Sequence, residues 1–336
     1  MKTYNYILVS AMLLSVVACS NDDNMFSQYE ADPYVVRIQP SISGIEETRT
    51  SPADDNKSTA FNNGDEICMH SEDEGFNNSF FKYTYNGENW IPGFSFNYRY
   101  FRWDDSKTTK DGKLVITDCY AYYPVSSSGN QDSFTIPTDQ STAEKIAQAD
   151  FMTYYGDITT DKDSNGIPSP VTFTMKRRTS RICVNIKSFV NQYDGKNPKC
   201  DVTIYSQSKE IELSYTKSDV TVAGNGYNPV EITPYNGKDL EKNGVAIALV
   251  SPQHKTQSNT EPTDMSDKVF VKVVVKYDTD KTDILYVKGI PEELKAGYSY
   301  TYNLKVGKDV VTVGSVEVSS WNTDVIECGT ATCPSE

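Results

Sequence analysis

Lys268-Val269-Phe270-Val271-Lys272-Val273-Val274-Val275-Lys276-Tyr277 is the stretch on which the reading of the fold turns. Val269, Val271, Val273, Val275 and Tyr277 fall on one side of an extended chain, and Lys268, Lys272 and Lys276 on the other. A period of two, filled by β-branched residues, belongs to a strand buried on one face, as in antiparallel sheets. The alternation recurs upstream. Tyr34, Val36 and Ile38 share a face in Tyr34-Val35-Val36-Arg37-Ile38-Gln39, and Ile182, Val184 and Ile186 share one in residues 181–187. Turn signals separate these runs: Asn86-Gly87, Asp111-Gly112, Asp194-Gly195, Asn225-Gly226 and Asn236-Gly237. Only residues 141–151 read as a short helix. Many short strands with regular turns predict an all-β sandwich or barrel.

The first residues are a targeting signal, to be set aside before the fold is argued. Lys2 supplies a positive start, residues 6–17 are apolar but short for a membrane span, and Val16-Val17-Ala18-Cys19 places a small residue just before a cysteine. This reads as a lipobox, with cleavage before Cys19 and diacylglycerol on its thiol. More than one acyl chain is needed for stable anchoring. Ser20-Asn21-Asp22-Asp23-Asn24 then reads as an acidic tether.

Length and charge narrow the function classes. The 336 residues suffice for about two domains. A net charge of −14 argues against nucleic-acid binding, which needs a basic patch, and favours solubility outside the cell. Beyond Cys19, six cysteines remain: Cys68, Cys119, Cys183, Cys200, Cys328 and Cys333. In an exported chain they are candidates for disulfides, with the pairing left open. No CxxC occurs and His70 and His254 are the only histidines, so no zinc site or other cofactor is expected. The polar stretch Asp161-Lys162-Asp163-Ser164-Asn165-Gly166 places a boundary near residue 165. The expected organisation is a lipoprotein signal peptide over 1–18, a tether over 19–32, sandwich domains over 33–165 and 166–321, and a cysteine-containing tail over 322–336.

An ordered set of blocks then resembles the fimbrillin-like (Mfa-like) surface lipoproteins of Bacteroidetes. It runs through the opening strand at 35–42, Thr48-Arg49-Thr50, Phe61-Asn62-Asn63-Gly64-Asp65-Glu66-Ile67 and Tyr120-Ala121-Tyr122-Tyr123-Pro124. It continues with Phe134-Thr135-Ile136-Pro137, Ala149-Asp150-Phe151-Met152, Val171-Thr172-Phe173-Thr174-Met175 and Ser180-Arg181-Ile182. It closes with Ala248-Leu249-Val250-Ser251-Pro252-Gln253, Ala296-Gly297-Tyr298-Ser299-Tyr300 and Val316-Glu317-Val318-Ser319-Ser320-Trp321. The resemblance implies two tandem transthyretin-like antiparallel β-sandwich domains, export to the outer membrane as a surface-exposed lipoprotein, and a role as fimbrial (pilus) subunit or adhesin. It also implies assembly with other fimbrial subunits by strand exchange. An opening strand carrying Tyr34, Val36, Ile38 and Ile42 would be cut away between Arg49 and Thr50 and replaced by the last strand of another subunit, here the segment of Val316 and Val318. Withdrawing those four side chains would expose apolar surface worth about 6–12 kcal/mol.

Other constellations carry less. Asp161, Asp163 and Asn165 match the start of a calcium loop, but Thr172 stands where the bidentate glutamate belongs. Phe94, Phe96, Tyr98 and Tyr100 alternate at strand spacing, so core packing outweighs a sugar-stacking platform. Lys176-Arg177-Arg178 reads as a solvated strand edge. GxSxG, HExxH, GxxxxGK[ST] and GxGxxG are absent, and no enzyme is expected. Partners are then other subunits, a host or bacterial surface ligand or glycan, and the membrane through the lipid. The alternative is a monomeric glycan-binding surface lipoprotein of a nutrient-uptake system.

Overall fold

The computed structural model describes residues 32–43, 60–73, 76, 79–93, 100–104, 106–125, 133–216, 219–224, 228–254, 268–278, 281–288, 293–307, 311–320 and 326–328. The signal peptide, Cys19, Arg49, Thr50, residues 94–99 and Cys333 lie outside them, and Cys328 is described in its backbone only. No helix among the described residues is long and apolar enough to cross a membrane.

Strands dominate because alternation dominates. The first half carries β1 (Ile38–Ile42), β2 (Glu66–Ser71), β3 (Phe81–Tyr85), β4 (Trp90–Pro92), β5 (Leu114–Tyr123), β6 (Ser133–Thr135), a short helix α1 (Ala143–Ala147), β7 (Met152–Thr160) and β8 (Val171–Arg177). Seven of the strands form one sheet in the order β1-β8-β7-β5-β2-β3-β4. Along β8, Val171, Phe173, Met175 and Arg177 are buried while Thr172, Thr174 and Lys176 are exposed. Val171, Phe173 and Met175 join Ile67, Met69, Phe81, Tyr83, Phe101, Leu114 and Ile116 in the first core. The predicted helix is shorter than residues 141–151. Thr142 caps it, and after Ala147 the hydrogen bonds tighten from four residues to three.

The second half carries β9 (Ser180–Phe189), β10 (Lys199–Ser206), β11 (Glu210–Thr216), β12 (Asp219–Gly224), β13 (Val230–Ile232), β14 (Val245–Val250), β15 (Gln253–His254), β16 (Val269–Tyr277), β17 (Lys281–Lys288), β18 (Glu293–Leu294), β19 (Tyr298–Val306), β20 (Val311–Ser320) and β21 (Ile326–Cys328). A sheet β13-β10-β16-β17 and a sheet β14-β9-β19-β20-β21 contribute inward side chains to the second core. β16 has the predicted alternation with one departure. A register shift between Val269 and Val271 turns both Phe270 and Val271 into the core, as an extra residue in a strand does. Two strand pairings, β1 with β8 and β9 with β19, are parallel, whereas the other strand pairings among the described residues are antiparallel.

The changeover between the cores differs from the boundary predicted near residue 165. β8 follows that point, yet Val171, Phe173 and Met175 belong to the first core. In the other direction, Ile136 belongs to the second core and β6 pairs with β11. Asp161-Lys162-Asp163-Ser164-Asn165-Gly166 is the turn joining β7 to β8, closed by a bridge between Lys162 and Pro168. Its polarity marks a hairpin tip, which composition alone does not distinguish from a linker. The switch falls instead at residues 177–181.

That switch overturns the reading of Lys176-Arg177-Arg178 as a solvated edge. Arg177 is 4% exposed and Arg178 6%. The Arg177 Nε donates to both oxygens of the buried Asp150 carboxylate at 3.1 Å. Arg178 donates through Nε to Thr153 Oγ1 at 2.7 Å and through Nη1 to the Val220 carbonyl of β12 at 2.9 Å. Arg181, 3% exposed, donates to Ser299 Oγ at 3.2 Å. Buried guanidinium groups persist only where carboxylate and main-chain oxygens replace their water.

The disulfide expectation is corrected for four cysteines. Cys68, Cys119, Cys183 and Cys200 are free and buried. Each sits in a different apolar cluster, so none has another within reach. Cys68 and Cys119 lie on neighbouring strands but enter different clusters. Burial pushes the Cys68 thiol up to about 11 and the Cys119 and Cys200 thiols up to about 12.

At pH 8 these thiols are therefore protonated as well as covered. Iodoacetamide should leave the peptides containing Cys68, Cys119, Cys183 and Cys200 unmodified in the native protein and alkylate all four in denaturant; a disulfide-linked peptide pair among them would contradict the assignment. Asp150→Ala removes the buried carboxylate that Arg177 bonds and should lower stability by about 3–5 kcal/mol, measured by urea unfolding. A loss under 1 kcal/mol would show that water reaches Arg177.

Candidate functional site: the opening segment and its groove

Residues 34–43 run along two different neighbours. Val36 N donates to the Phe101 carbonyl at 2.8 Å, and Trp103 N donates to the Tyr34 carbonyl at 2.9 Å. Val35 is bridged to Arg102 in the antiparallel sense. One residue later the segment turns to β8. Val171 N donates to the Arg37 carbonyl at 2.8 Å, and at the far end Ser43 N donates to the Met175 carbonyl at 2.7 Å. Between these points Ile38 to Ile42 pair in parallel with Val171 to Met175.

The side chains make the segment part of the interior. Val36 is 0% exposed, Ile38 5% and Ile42 6%, and all three belong to the first core. Tyr34 packs against that core half-buried, with Lys162 Nζ 5.6 Å from its ring centre. Three fully buried aliphatic side chains are worth on the order of 5–9 kcal/mol. Of the residues predicted for the displaced strand, Val36, Ile38 and Ile42 are thus brought together on the inner side, with Tyr34 packed against the same core.

One polar group lies at the point where the segment changes neighbours. The Val36 carbonyl accepts a hydrogen bond from Tyr83 Oη at 2.8 Å. Tyr83 is 1% exposed, and burial raises the pKa of its phenol, which keeps the hydroxyl a donor. Tyr83 was not singled out from the sequence. Its place in Phe81-Lys82-Tyr83 marks it as inward-facing, but alternation says nothing about what a hydroxyl will meet 47 residues away.

β1 is an end strand, and it contains Pro40. The bonds at Arg37 and Ser43 show that odd-numbered residues direct their main-chain groups toward β8. By alternation Pro40 turns its nitrogen to the outer edge, where a missing N–H costs the ladder nothing.

The segment predicted as a donor is seated within its own chain. Val316 and Val318 are half-buried against the second core. Val316 pairs with Tyr302 of β19 and Cys328 of β21, and Val318 with Tyr300 and Ile326. Asn303 faces Ser315 while Leu304 faces Val313, so Gly314 is the extra residue of a bulge. The acidic turn at 161–166 is satisfied internally. Asp161 pairs with Lys113 at 2.7 Å, and Asp163 Oδ1 accepts from Asn165 N and Ile167 N at 2.8 Å each. These carboxylates serve the turn, and no group of three or more ligating side chains occurs among the described residues.

Comparison with known proteins follows this geometry. The profile of the fimbrillin-like family matches residues 48–321, most of the chain, beginning just after the opening segment. No curated protein matches. Among solved structures, a candidate cell adhesion protein from Bacteroides ovatus is 18% identical, with a TM-score of 0.53 over 87% of this chain and 99% of its own. Another, from Bacteroides uniformis, is 15% identical, with a TM-score of 0.50 over 86% of this chain and 98% of its own. At these identities the likeness is one of fold. The extent of the family match decides membership: this chain belongs to the fimbrillin-like family.

Proposed function

We propose that the protein is a non-catalytic, surface-exposed fimbrial subunit or adhesin, held on the outer membrane through Cys19 until its opening segment is exchanged for a strand of another subunit. The observation that carries this reading is the burial of Val36, Ile38 and Ile42 in the first core by a segment at the edge of the sheet. Such a segment is attached to the fold by its own side chains and by two rows of main-chain bonds. Once the chain is cut after it, nothing covalent holds it there.

Family membership and the cell-adhesion descriptions of the fold relatives support the reading. Arg49 is the proposed cut, because it lies between the core-filling segment and the next strand and is followed by Thr50. Loss of residues 19–49 would release the lipid anchor and open the groove together. An open groove lined by Tyr83, Phe101 and Phe173 cannot stay bare in water, and strand addition fills it with main-chain hydrogen bonds and alternating side chains. In this chain Val316 and Val318 have the spacing a donor needs, after their ladders with β19 and β21 have opened.

Treatment of the surface-exposed protein with an arginine-specific protease should give a new N-terminus at Thr50 and a ladder of SDS-resistant oligomers. Arg49→Ala should abolish both. A protein fully cut at Arg49 that remains a monomer, and that binds a polysaccharide, would replace this reading with that of a glycan-binding lipoprotein.

A further inference from the structure

A strand that changes neighbours in mid-course has a main-chain problem at the crossing. Residues 34 and 36 direct their main-chain groups toward residues 101–103, whereas Arg37 and Ser43 bond to β8. At the crossing the Val36 carbonyl has passed the end of the first pairing, and the next bond to β8 is made by the Arg37 carbonyl. A buried carbonyl without a donor is strongly disfavoured. Among the described residues, the donor that meets the Val36 oxygen is Tyr83 Oη, a buried hydroxyl on β3, 47 residues further along the chain.

We infer that Tyr83 is a register-setting residue: its hydroxyl fixes which carbonyl of the strand in this groove sits at the crossing, and so which side chains enter the core. A one-residue slip would bring Val35 or Arg37 under the hydroxyl and turn Val36, Ile38 and Ile42 away from the interior. Arg37 would then carry its charge into an apolar cluster, which is strongly disfavoured. The groove therefore accepts an extended segment with apolar residues at the positions of Val36, Ile38 and Ile42, running parallel to β8, with a carbonyl presented to Tyr83. For this chain's own segment the inference stands on geometry alone. For a strand from a second subunit it rests on the strand-exchange reading.

Two measurements on Tyr83→Phe, which keeps the ring, test it. In the intact chain, native-state hydrogen exchange at the amides of Gln39, Ser41 and Ser43 should lose about tenfold in protection, the effect of one buried hydrogen bond, while the amides of Val273 and Val275 in the second core stay unchanged. An even loss across both cores, or no loss, overturns the inference. In protein cut at Arg49, a fluorescent peptide of residues 32–43 should leave the Tyr83→Phe groove about tenfold faster than the native one. Equal rates overturn the inference. A peptide that binds neither protein overturns the strand-exchange reading instead, and the hydrogen-exchange result still decides the role of Tyr83.

Discussion

A polar main-chain group buried away from water has to meet a partner, and the first half of this molecule is arranged around that requirement at residues 34–43. The segment closes the core with Val36, Ile38 and Ile42 and is flanked by residues 101–103 on one side and β8 on the other. Because it crosses from one neighbour to the other, neither row alone satisfies its backbone. The hydroxyl of Tyr83 covers the gap, and the position of every side chain in the segment follows from that bond and the two rows beside it.

The buried arginines solve the same problem with charge. Residues 177–181 carry the chain from one core to the other, and all five are buried. Arg177 finds Asp150 after α1, Arg178 finds Thr153 on β7 and the Val220 carbonyl on β12, and Arg181 finds Ser299 on β19. Each guanidinium thus ties the crossing to a separate element. β8 takes part in both arrangements, since it pairs with β1 along Val171 to Met175 and ends in Arg177.

How much of this was legible in the sequence depended on whether a feature was local. Period-two patterning identified β9 and β16 and placed Val36 and Ile38 on an inner face, because alternation is a property of a few consecutive residues. It did not reveal that β1 and β8 run in parallel, since pairing direction depends on residues more than 130 positions apart. The polar run at 161–166 could not be told from a linker in sequence, because a hairpin tip and a linker share a composition of Asp, Asn, Ser and Gly. The arginines were misread because a basic run is ordinarily solvated, and nothing near Arg177 in sequence announces Asp150. Cysteine count likewise could not say that Cys68 and Cys119, on adjacent strands, enter different clusters. The ordered family blocks reached further than any one pattern, since together they extend over most of the chain.

Pro40 gives the edge of the first sheet a particular character. With its ring nitrogen turned to the open margin, β1 offers an interrupted row of donors to anything arriving from outside. A second chain cannot easily queue beside it and lengthen the sheet. The same proline discourages intact copies from adhering to one another edge to edge along this margin.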